Sequence, residues 1–238
     1  MSSFEFILAV LAVFAGATLQ GSLGFGLGLV AAPVLVLIDP TLIPGVILGM
    51  GVPLTILVAI RERHAVSFTR VKRAVVGRAL GTVVGSAVVY VADQNSLSIG
   101  FAVALLLAVG ASVGGFSVKP TPRTMLVAGF GSGLMGTTTS VGGPPIALVL
   151  QHQEGPELRA SIGAFMAIGA SLSLGALVIV GEFRSRELVM TGLLVVPALL
   201  GFALSHWTNR VLDRGYTRGA VLVFATASAV SILLRQLV

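Results

Sequence analysis

Near the middle of the chain the sequence reads Gly129-Phe130-Gly131-Ser132-Gly133-Leu134-Met135-Gly136-Thr137-Thr138-Thr139-Ser140-Val141-Gly142-Gly143-Pro144-Pro145. This stretch holds six glycines, four consecutive hydroxyl residues and two prolines, and an aliphatic run at 146–150 follows it. A helix through it must break, because glycine loses entropy in a helix and each proline removes a backbone donor. Inside a bilayer a broken helix is tolerated only where protein or a watery cavity satisfies the freed backbone groups. The stretch is therefore the first candidate for a functional site.

The composition around this stretch indicates a polytopic membrane protein. Of the 238 residues, 55% are hydrophobic and 10% are charged, whereas about 25% are charged in a typical soluble domain. The net charge of +6 is collected between apolar segments, as in loops at a membrane surface. We therefore expect a lipid bilayer as partner and no nucleic acid. The chain has no cysteine and three scattered histidines, so we expect no metal and no cofactor.

The apolar segments predict an all-α fold with about eight transmembrane helices. Residues 4–38 are too long for one span, because 35 residues in a straight helix measure about 52 Å against a hydrocarbon core of about 30 Å. The glycines at 21, 24, 26 and 28 mark the expected break in this first segment. The other predicted segments are residues 44–60, 74–91, 97–113, 125–150, 161–180, 188–204 and 220–234.

The two halves of the chain resemble each other, which indicates an internal duplication. Four positions recur at a spacing of 112 residues, namely Gly21 with Gly133, Gly24 with Gly136, Pro33 with Pro145 and Gly51 with Gly163. We therefore predict two pseudo-symmetric four-span repeats, residues 1–118 and 119–238, in one membrane domain. Repeat-built transporters place their substrate site at broken helices in matching positions of the two halves.

Lysine and arginine predict the orientation in the membrane. With eight simple spans and the N-terminus inside, eleven basic residues face the cytoplasm and four face outward. If either Gly-rich segment is a re-entrant hairpin, the crossing count changes and the repeats are inverted rather than parallel.

Polar residues near the predicted span centres are neutral, since the acidic residues all fall near span ends or in loops. This pattern disfavours proton pumps and metal-cation transporters, and hydroxyls, amides and free N–H groups suit an anion. Pro144-Pro145, and Pro33 in the first half, favour helix starts, so two half-helices would direct positive N-termini into the breaks. We predict an anion pocket between the breaks, with the residues Gln20, Ser22, Gly24, Gly26, Arg78, Thr137, Thr138, Thr139, Ser140, Gly142, Gly143 and Pro144.

Close helix packing is the alternative explanation for many of the small residues. The pattern Gly77-x-x-x-Gly81-x-x-x-Gly85 is typical of such packing, within one chain or in a homodimer. Arg78 is placed about one turn inside its predicted helix, where its side chain could extend to the membrane surface.

The same motifs resemble a known family. Gly129-Phe130-x-Ser132-Gly133-x-x-Gly136-Thr137, continued by Val141-Gly142-Gly143-Pro144-Pro145, is similar to the second-half motif of the sulfite exporter TauE/SafE family, and the first-half pattern Gly21-x-x-Gly24-x-Gly26-x-Gly28 resembles its first motif. The resemblance implies an integral inner-membrane permease, without enzymatic activity, for sulfite, sulfonates or related sulfur oxyanions.

Three functions remain open at this point. The first is export of a small sulfur-containing anion by alternating access around the two breaks. The second is an anion channel with the same pocket. The third is an intramembrane hydrolase with Ser132 as nucleophile and His206 as base, which requires the two side chains within hydrogen-bond reach.

Overall fold

The computed structural model describes residues 1–65, 68–114, 118–150, 155–212 and 226–234. This part of the chain is helical and contains no strand. The helices are α1 Ser3–Leu23, α2 Leu27–Ile38, α3 Gly45–Arg61, α4 Phe68–Val91, α5 Gln94–Val113, α6 Pro122–Thr139, α7 Gly143–Leu150, α8 Gly155–Val180 and α9 Ser185–Leu212, with short 3₁₀ turns at Pro40–Leu42 and Arg63–Ala65. Residues 226–234 are also helical, and the rest of the predicted segment 220–234 lies outside the described residues.

The helices form a multi-pass membrane protein. Five described segments are long and apolar enough to cross a bilayer, and α2 and the part of α5 at Gln94–Leu107 are shorter apolar helices. Large apolar side chains such as Ile179 and Val91 lie exposed on the outer surface, where lipid would cover them. The count of about eight spans stays a prediction.

The long first segment folds back on itself as a helical hairpin. Gly24 ends α1 with φ +84° and Gly26 precedes α2 with φ +141°, conformations that a side chain strongly disfavours. Gly16 of α1 lies against Leu27 of α2, so the two helices are antiparallel. The predicted break is therefore confirmed. The prediction that Pro33 begins the second half-helix is wrong, because the glycine turn starts α2 at Leu27 and Pro33 lies inside it.

The second Gly-rich stretch forms a hairpin as well. Ser140 ends α6 with φ +61°, and Gly142 approaches Gly136 as the chain turns back. Helix α7 begins at Gly143, with Pro144 and Pro145 in its first turn. Proline is favoured there because a first-turn N–H has no intrahelical partner. The predicted break and the helix start at the prolines are both confirmed.

The directions of the helices follow from residue pairs that approach closely. These pairs are Gly77–Leu126 and Gly81–Phe130 for α4 with α6, Gly45–Glu187 and Gly49–Thr191 for α3 with α9, and Thr18–Gly201 and Gly21–Ser205 for α1 with α9. In each set the numbers rise together, so the paired helices are parallel. A short link separates α8 from α9, and the 3₁₀ turn Arg63–Ala65 follows α3 before α4 begins at Phe68. Helices α4, α6 and α8 therefore run opposite to α1, α3 and α9.

Packing of α4 on α6 accounts for the glycines at 77, 81 and 85. A Cβ at Gly77 or Gly81 would overlap the carbonyl oxygen of Leu126 or Phe130, and one at Gly85 would lie 2.9 Å from the Thr137 Cβ. These backbones touch, as small residues permit in membrane helices. The packing interpretation is confirmed within one chain, and a homodimer stays a prediction.

Basic residues collect at one end of the helical bundle. The end where α3 stops, called here the Arg61 end, carries Arg61, Arg63, Arg70, Lys72, Arg73, Lys119, Arg123 and Arg159. The opposite end, called here the Asp39 end, carries Arg184 and Arg186 among the described residues. The positive-inside rule directs the Arg61 end to the cytoplasm. Because α1 starts at the Asp39 end, the rule predicts an N-terminus outside, whereas eight simple spans led us to expect it inside.

Candidate functional site

The turns of the two hairpins lie in contact with each other. A Cβ at Gly28 would overlap the carbonyl oxygen of Ser140, and one at Gly143 would fall 2.6 Å from the Phe25 ring. Residues without side chains are therefore needed at both places. The first turns of α2 and α7 thus meet inside the protein, and a pocket between them stays a prediction.

Within the first break, Gln20 is the residue with unused hydrogen-bonding capacity. Its side chain is buried, and its Oε1 accepts a hydrogen bond of 3.1 Å from the backbone N–H of Leu27. Its Nε2 has no partner among the described residues. Ser22 instead donates to the carbonyl of Thr18 one turn earlier, which is a bond within its own helix. Gly24 and Gly26 shape the turn.

At the second break, three of the four consecutive hydroxyl residues bond to backbone groups. Thr138 and Thr139 donate to carbonyls of their own helix, at Leu134 and Met135. Thr139 Oγ1 also accepts from Val141 N at 3.3 Å. Ser140 donates to the carbonyl of Pro44 at 3.1 Å. These bonds satisfy backbone groups around the break and tie it to the start of α3.

The largest fully buried side chain in the described structure is a charged one, Arg78. The prediction that it lies one turn inside its helix and extends to the surface is wrong. Helix α4 begins at Phe68, earlier than predicted, because basic residues of the expected loop continue the helix. Arg78 consequently lies about 15 Å along the helix axis from that start at 1.5 Å per residue, and 1% of its surface is exposed.

Two groups of contacts hold the Arg78 guanidinium. On the α6 side, Nη1 donates to the carbonyl and to the Oγ of Ser132, at 2.8 and 2.6 Å. Ser132 Oγ in turn donates to the carbonyl of Gly142. A Cβ at Gly136, Gly142 or Gly169 would overlap the guanidinium. The glycines of the second break therefore make room for a cation, which the sequence analysis did not anticipate.

A chain of hydroxyl groups leads away from Arg78 on the α8 side. Nη2 donates to Ser173 Oγ over 3.4 Å. Ser173 Oγ lies 2.8 Å from Thr137 Oγ1, which reaches Thr82 Oγ1 at 3.4 Å. The Phe165 ring centre lies 5.7 Å from the guanidinium carbon. Thr137 is thus the predicted hydroxyl residue that stands next to the cation.

The positive charge of Arg78 is not balanced by the described part of the chain. Its hydrogen bonds go to hydroxyl and carbonyl oxygens, and its Nε has no partner among the described residues. An arginine at the centre of a membrane helix costs about 3 kcal/mol on insertion scales, and a buried cation is normally paired. No cluster of histidine and carboxylate side chains suited to a metal occurs in the described residues. These features are typical of an anion-binding site, and binding of an anion stays a prediction.

Four residues around Arg78 were not among the predicted site residues: Ser132, Phe165, Gly169 and Ser173. Ser132 lies inside the quoted motif. Gly169 and Ser173 are four positions apart, which is the spacing of one helix face. The one sequence signal near them is Arg78 itself, the charged residue of the apolar stretch 74–91, and it does not identify its partners on α8.

The contacts of Ser132 do not form a nucleophile–base pair. Its Oγ is bonded to Arg78 and to the carbonyl of Gly142. His206 packs edge-on against Trp207, with ring centres 6.0 Å apart. Ser132 donates its hydroxyl proton to the carbonyl of Gly142, so no base accepts that proton among the described residues.

A cavity of about 360 Å³ opens at the Asp39 end, and its walls include Pro44, Gln94 and the first residues of α9. Near its rim Asp39 forms an ion pair with Arg186. Partial burial raises the pKa of Asp39, but hydrogen bonds from Thr41 and the charge of Arg186 outweigh it and hold the pKa below its ordinary value. Since Pro44 accepts the hydrogen bond of Ser140, this cavity adjoins the second break.

Comparison with protein families decides the relationship of the chain. The family model described as Sulfite exporter TauE/SafE matches residues 8–232. The chain belongs to the sulfite exporter TauE/SafE family. The match covers both hairpins and Arg78, so the candidate site lies wholly within the TauE/SafE region. Curated proteins and solved structures give no match.

Proposed function

We propose that this TauE/SafE protein is a permease of the cell inner membrane that exports a small sulfur-containing anion, such as sulfite or a sulfonate, by alternating access. The substrate binds where the two hairpin turns meet and neutralises Arg78. The family gives the transporter class, and the anion follows from the site itself.

The observation that carries the proposal is the buried guanidinium of Arg78, whose charge no described residue neutralises. A guanidinium fork matches the oxygens of a carboxylate, phosphate or sulfonate group, and such charge-assisted bonds are about twice as strong as neutral ones. Gln20 Nε2, which has no partner among the described residues, adds a further donor. The residues that we assign to the substrate are Gln20, Gly24, Gly26, Arg78, Thr137, Gly142, Gly143 and Pro144.

Dense packing around the cation favours a carrier over a channel. Gly136, Gly142 and Gly169 each bring backbone within van der Waals distance of the guanidinium. A permanently open anion path would leave water around that group. The proposed cycle therefore alternates between states in which the Arg78 site faces one side or the other.

Anion-dependent thermal stabilisation of the purified protein tests the proposal. A ligand at a hundred times its Kd stabilises the folded state by about 2.7 kcal/mol, which corresponds to a rise in Tm of about 5–11 °C for a chain of this size. We expect such a rise with at least one of sulfite, sulfate, thiosulfate and methanesulfonate. We expect none with chloride salts of the same cations. Uptake into vesicles with the stabilising anion should saturate, as a carrier requires.

Two variants of α4 separate the site from general charge effects. Arg78→Gln should lose the anion-dependent rise in Tm, whereas Arg73→Gln, exposed on the same helix, should keep it. Arg78→Lys keeps the charge but not the fork and should bind more weakly. Anion stabilisation that is unchanged in Arg78→Gln would refute the site.

A further inference from the structure

Helix α4 is attached very unequally to its two neighbours at Arg78. Toward α6, backbone touches backbone at Gly77, Gly81 and Gly133, and Nη1 makes two short hydrogen bonds to Ser132. Toward α8, the guanidinium has one hydrogen bond of 3.4 Å to Ser173 and the Phe165 ring at 5.7 Å. The contact with α8 is therefore the weaker of the two.

The hydrogen-bonding edge of Arg78 that remains available faces this weaker contact. Nη1 is occupied by Ser132, whereas Nε has no partner among the described residues and Nη2 has only the long bond to Ser173. A Cβ at Gly169 would overlap Nε, so the backbone of α8 covers this edge. Two donors on one edge of a guanidinium are the arrangement that holds an oxyanion through two oxygens.

We propose that the anion binds to the Nε–Nη2 edge of Arg78, and that α8 must separate from α4 at Gly169 to admit it. Helix α8 is thus the moving wall of the site, and α4 with α6 is the fixed one. Ser173 then exchanges its bonds to Arg78 and Thr137 for a bond to the anion. This inference rests on the proposed function. It adds the edge of the guanidinium that binds the anion, the helix that moves to admit it, and roles for Gly169 and Ser173.

The chain contains no cysteine, so a single introduced thiol can report the opening. Ser173→Cys is nearly isosteric, and Ser161→Cys on the same helix is the control, because both serines are completely buried. With methyl methanethiosulfonate as the reagent, Ser173→Cys should react faster than Ser161→Cys. Sulfate or methanesulfonate, whichever stabilises the protein, should slow that reaction about a hundredfold at a hundred times its Kd. Sulfite is avoided because it reacts with the reagent.

A second pair of variants covers the case that Ser173→Cys does not fold. Gly169→Ala should block the Nε edge and abolish the anion-dependent rise in Tm, whereas Gly175→Ala, which meets nothing within 4 Å, should keep it. The inference is overturned if Ser173→Cys reacts no faster than Ser161→Cys, if the anion gives no protection, or if Gly169→Ala keeps full stabilisation. If the inference fails but Arg78→Gln still loses the anion-dependent rise in Tm, the proposed function stands. If no anion stabilises the protein in a way that depends on Arg78, the proposed function and the inference are both refuted.

Discussion

Replacing Ser132 by alanine tests whether Arg78 is held as the structure describes. Ser132 Oγ accepts from Arg78 Nη1 at 2.6 Å and donates to the carbonyl of Gly142. A bond to a charged group contributes about 1.5–3 kcal/mol and a neutral one about 0.5–1.5 kcal/mol. Since Arg78 keeps its bond to the Ser132 carbonyl, we expect Ser132→Ala to lose about 2–4 kcal/mol of stability.

Ser161→Ala is the matched control for this prediction. Both serines are completely buried, but Ser161 Oγ has no hydrogen-bond partner among the described residues. Removing an unsatisfied buried hydroxyl leaves stability unchanged or raises it. At about 2–4 °C per kcal/mol, Ser132→Ala should lower Tm by roughly 4–16 °C in a given detergent, and Ser161→Ala should not.

The comparison also separates a structural from a catalytic role of Ser132. Ser132→Ala should remain competent for anion-dependent stabilisation, with weaker affinity, because the Nε–Nη2 edge of Arg78 is intact. A serine-reactive probe should not label the wild-type protein, since Ser132 has no base. Equal melting temperatures for the Ser132→Ala and Ser161→Ala proteins would refute the described hydrogen bonds, and labelling that depends on Ser132 would restore the hydrolase.

Three further results are expected. Gly81→Val should strongly destabilise the protein in thermal melts, because its side chain would overlap the α6 backbone, whereas Gly100→Ala, which meets nothing within 4 Å, should not. The pKa of Asp39 is lowered in the folded state, so its stabilising effect is present above its ordinary pKa and is lost as pH falls through the lowered value. Asp39→Asn should remove this acid-side component of the melting profile, and Arg186→Gln should reduce it because the hydrogen bonds from Thr41 remain. A protease site added at the N-terminus should be cut from outside intact cells, and cutting only from the cytoplasm would refute the orientation.

Local chemistry explains how much of the fold could be predicted from the sequence. Glycine and proline act through their own backbones, so both breaks were placed correctly, and Pro144-Pro145 marked the start of α7. The prediction that Pro33 begins a helix was wrong, because residue type alone does not distinguish a proline inside a helix from a proline at its start. The actual start of α2 depends on the positive φ of Gly24 and Gly26. Glycine permits a positive φ but does not require it.

Tertiary packing explains what could not be predicted about the site. Hydroxyl residues at 138 and 139 have the composition of a binding site, yet they satisfy their own helix. Arginine is a residue type that commonly lies at the membrane surface, yet the tight α4–α6 contact encloses Arg78. Whether a polar side chain binds a ligand, satisfies its own helix or is enclosed depends on the helix that packs against it. At Arg78 that helix is α8, which supplies Phe165, Gly169 and Ser173 and is far away in sequence.

The opposite directions of the two hairpins connect the fold with the proposed transport. Helix α1 starts at the Asp39 end, whereas α6 starts at the Arg61 end, so the two Gly-rich segments enter the protein from opposite sides and turn against each other. If the two halves are repeats, as we propose, they are inverted, which is the arrangement that lets a transporter exchange two equivalent states around a fixed site. Gly85 and Gly201 form a further matching pair of the two halves at a spacing of 116 residues, and the same spacing assigns Leu194 to Arg78. Arg78 therefore breaks that symmetry. Under the proposed function, the half that carries Arg78 binds the anion, and we predict that Leu194→Arg would add a second charge that the existing contacts do not satisfy. That variant should lower Tm and leave the affinity of the Arg78 site for the anion unchanged; an equally stable protein with doubled anion binding would show that both halves carry a complete site.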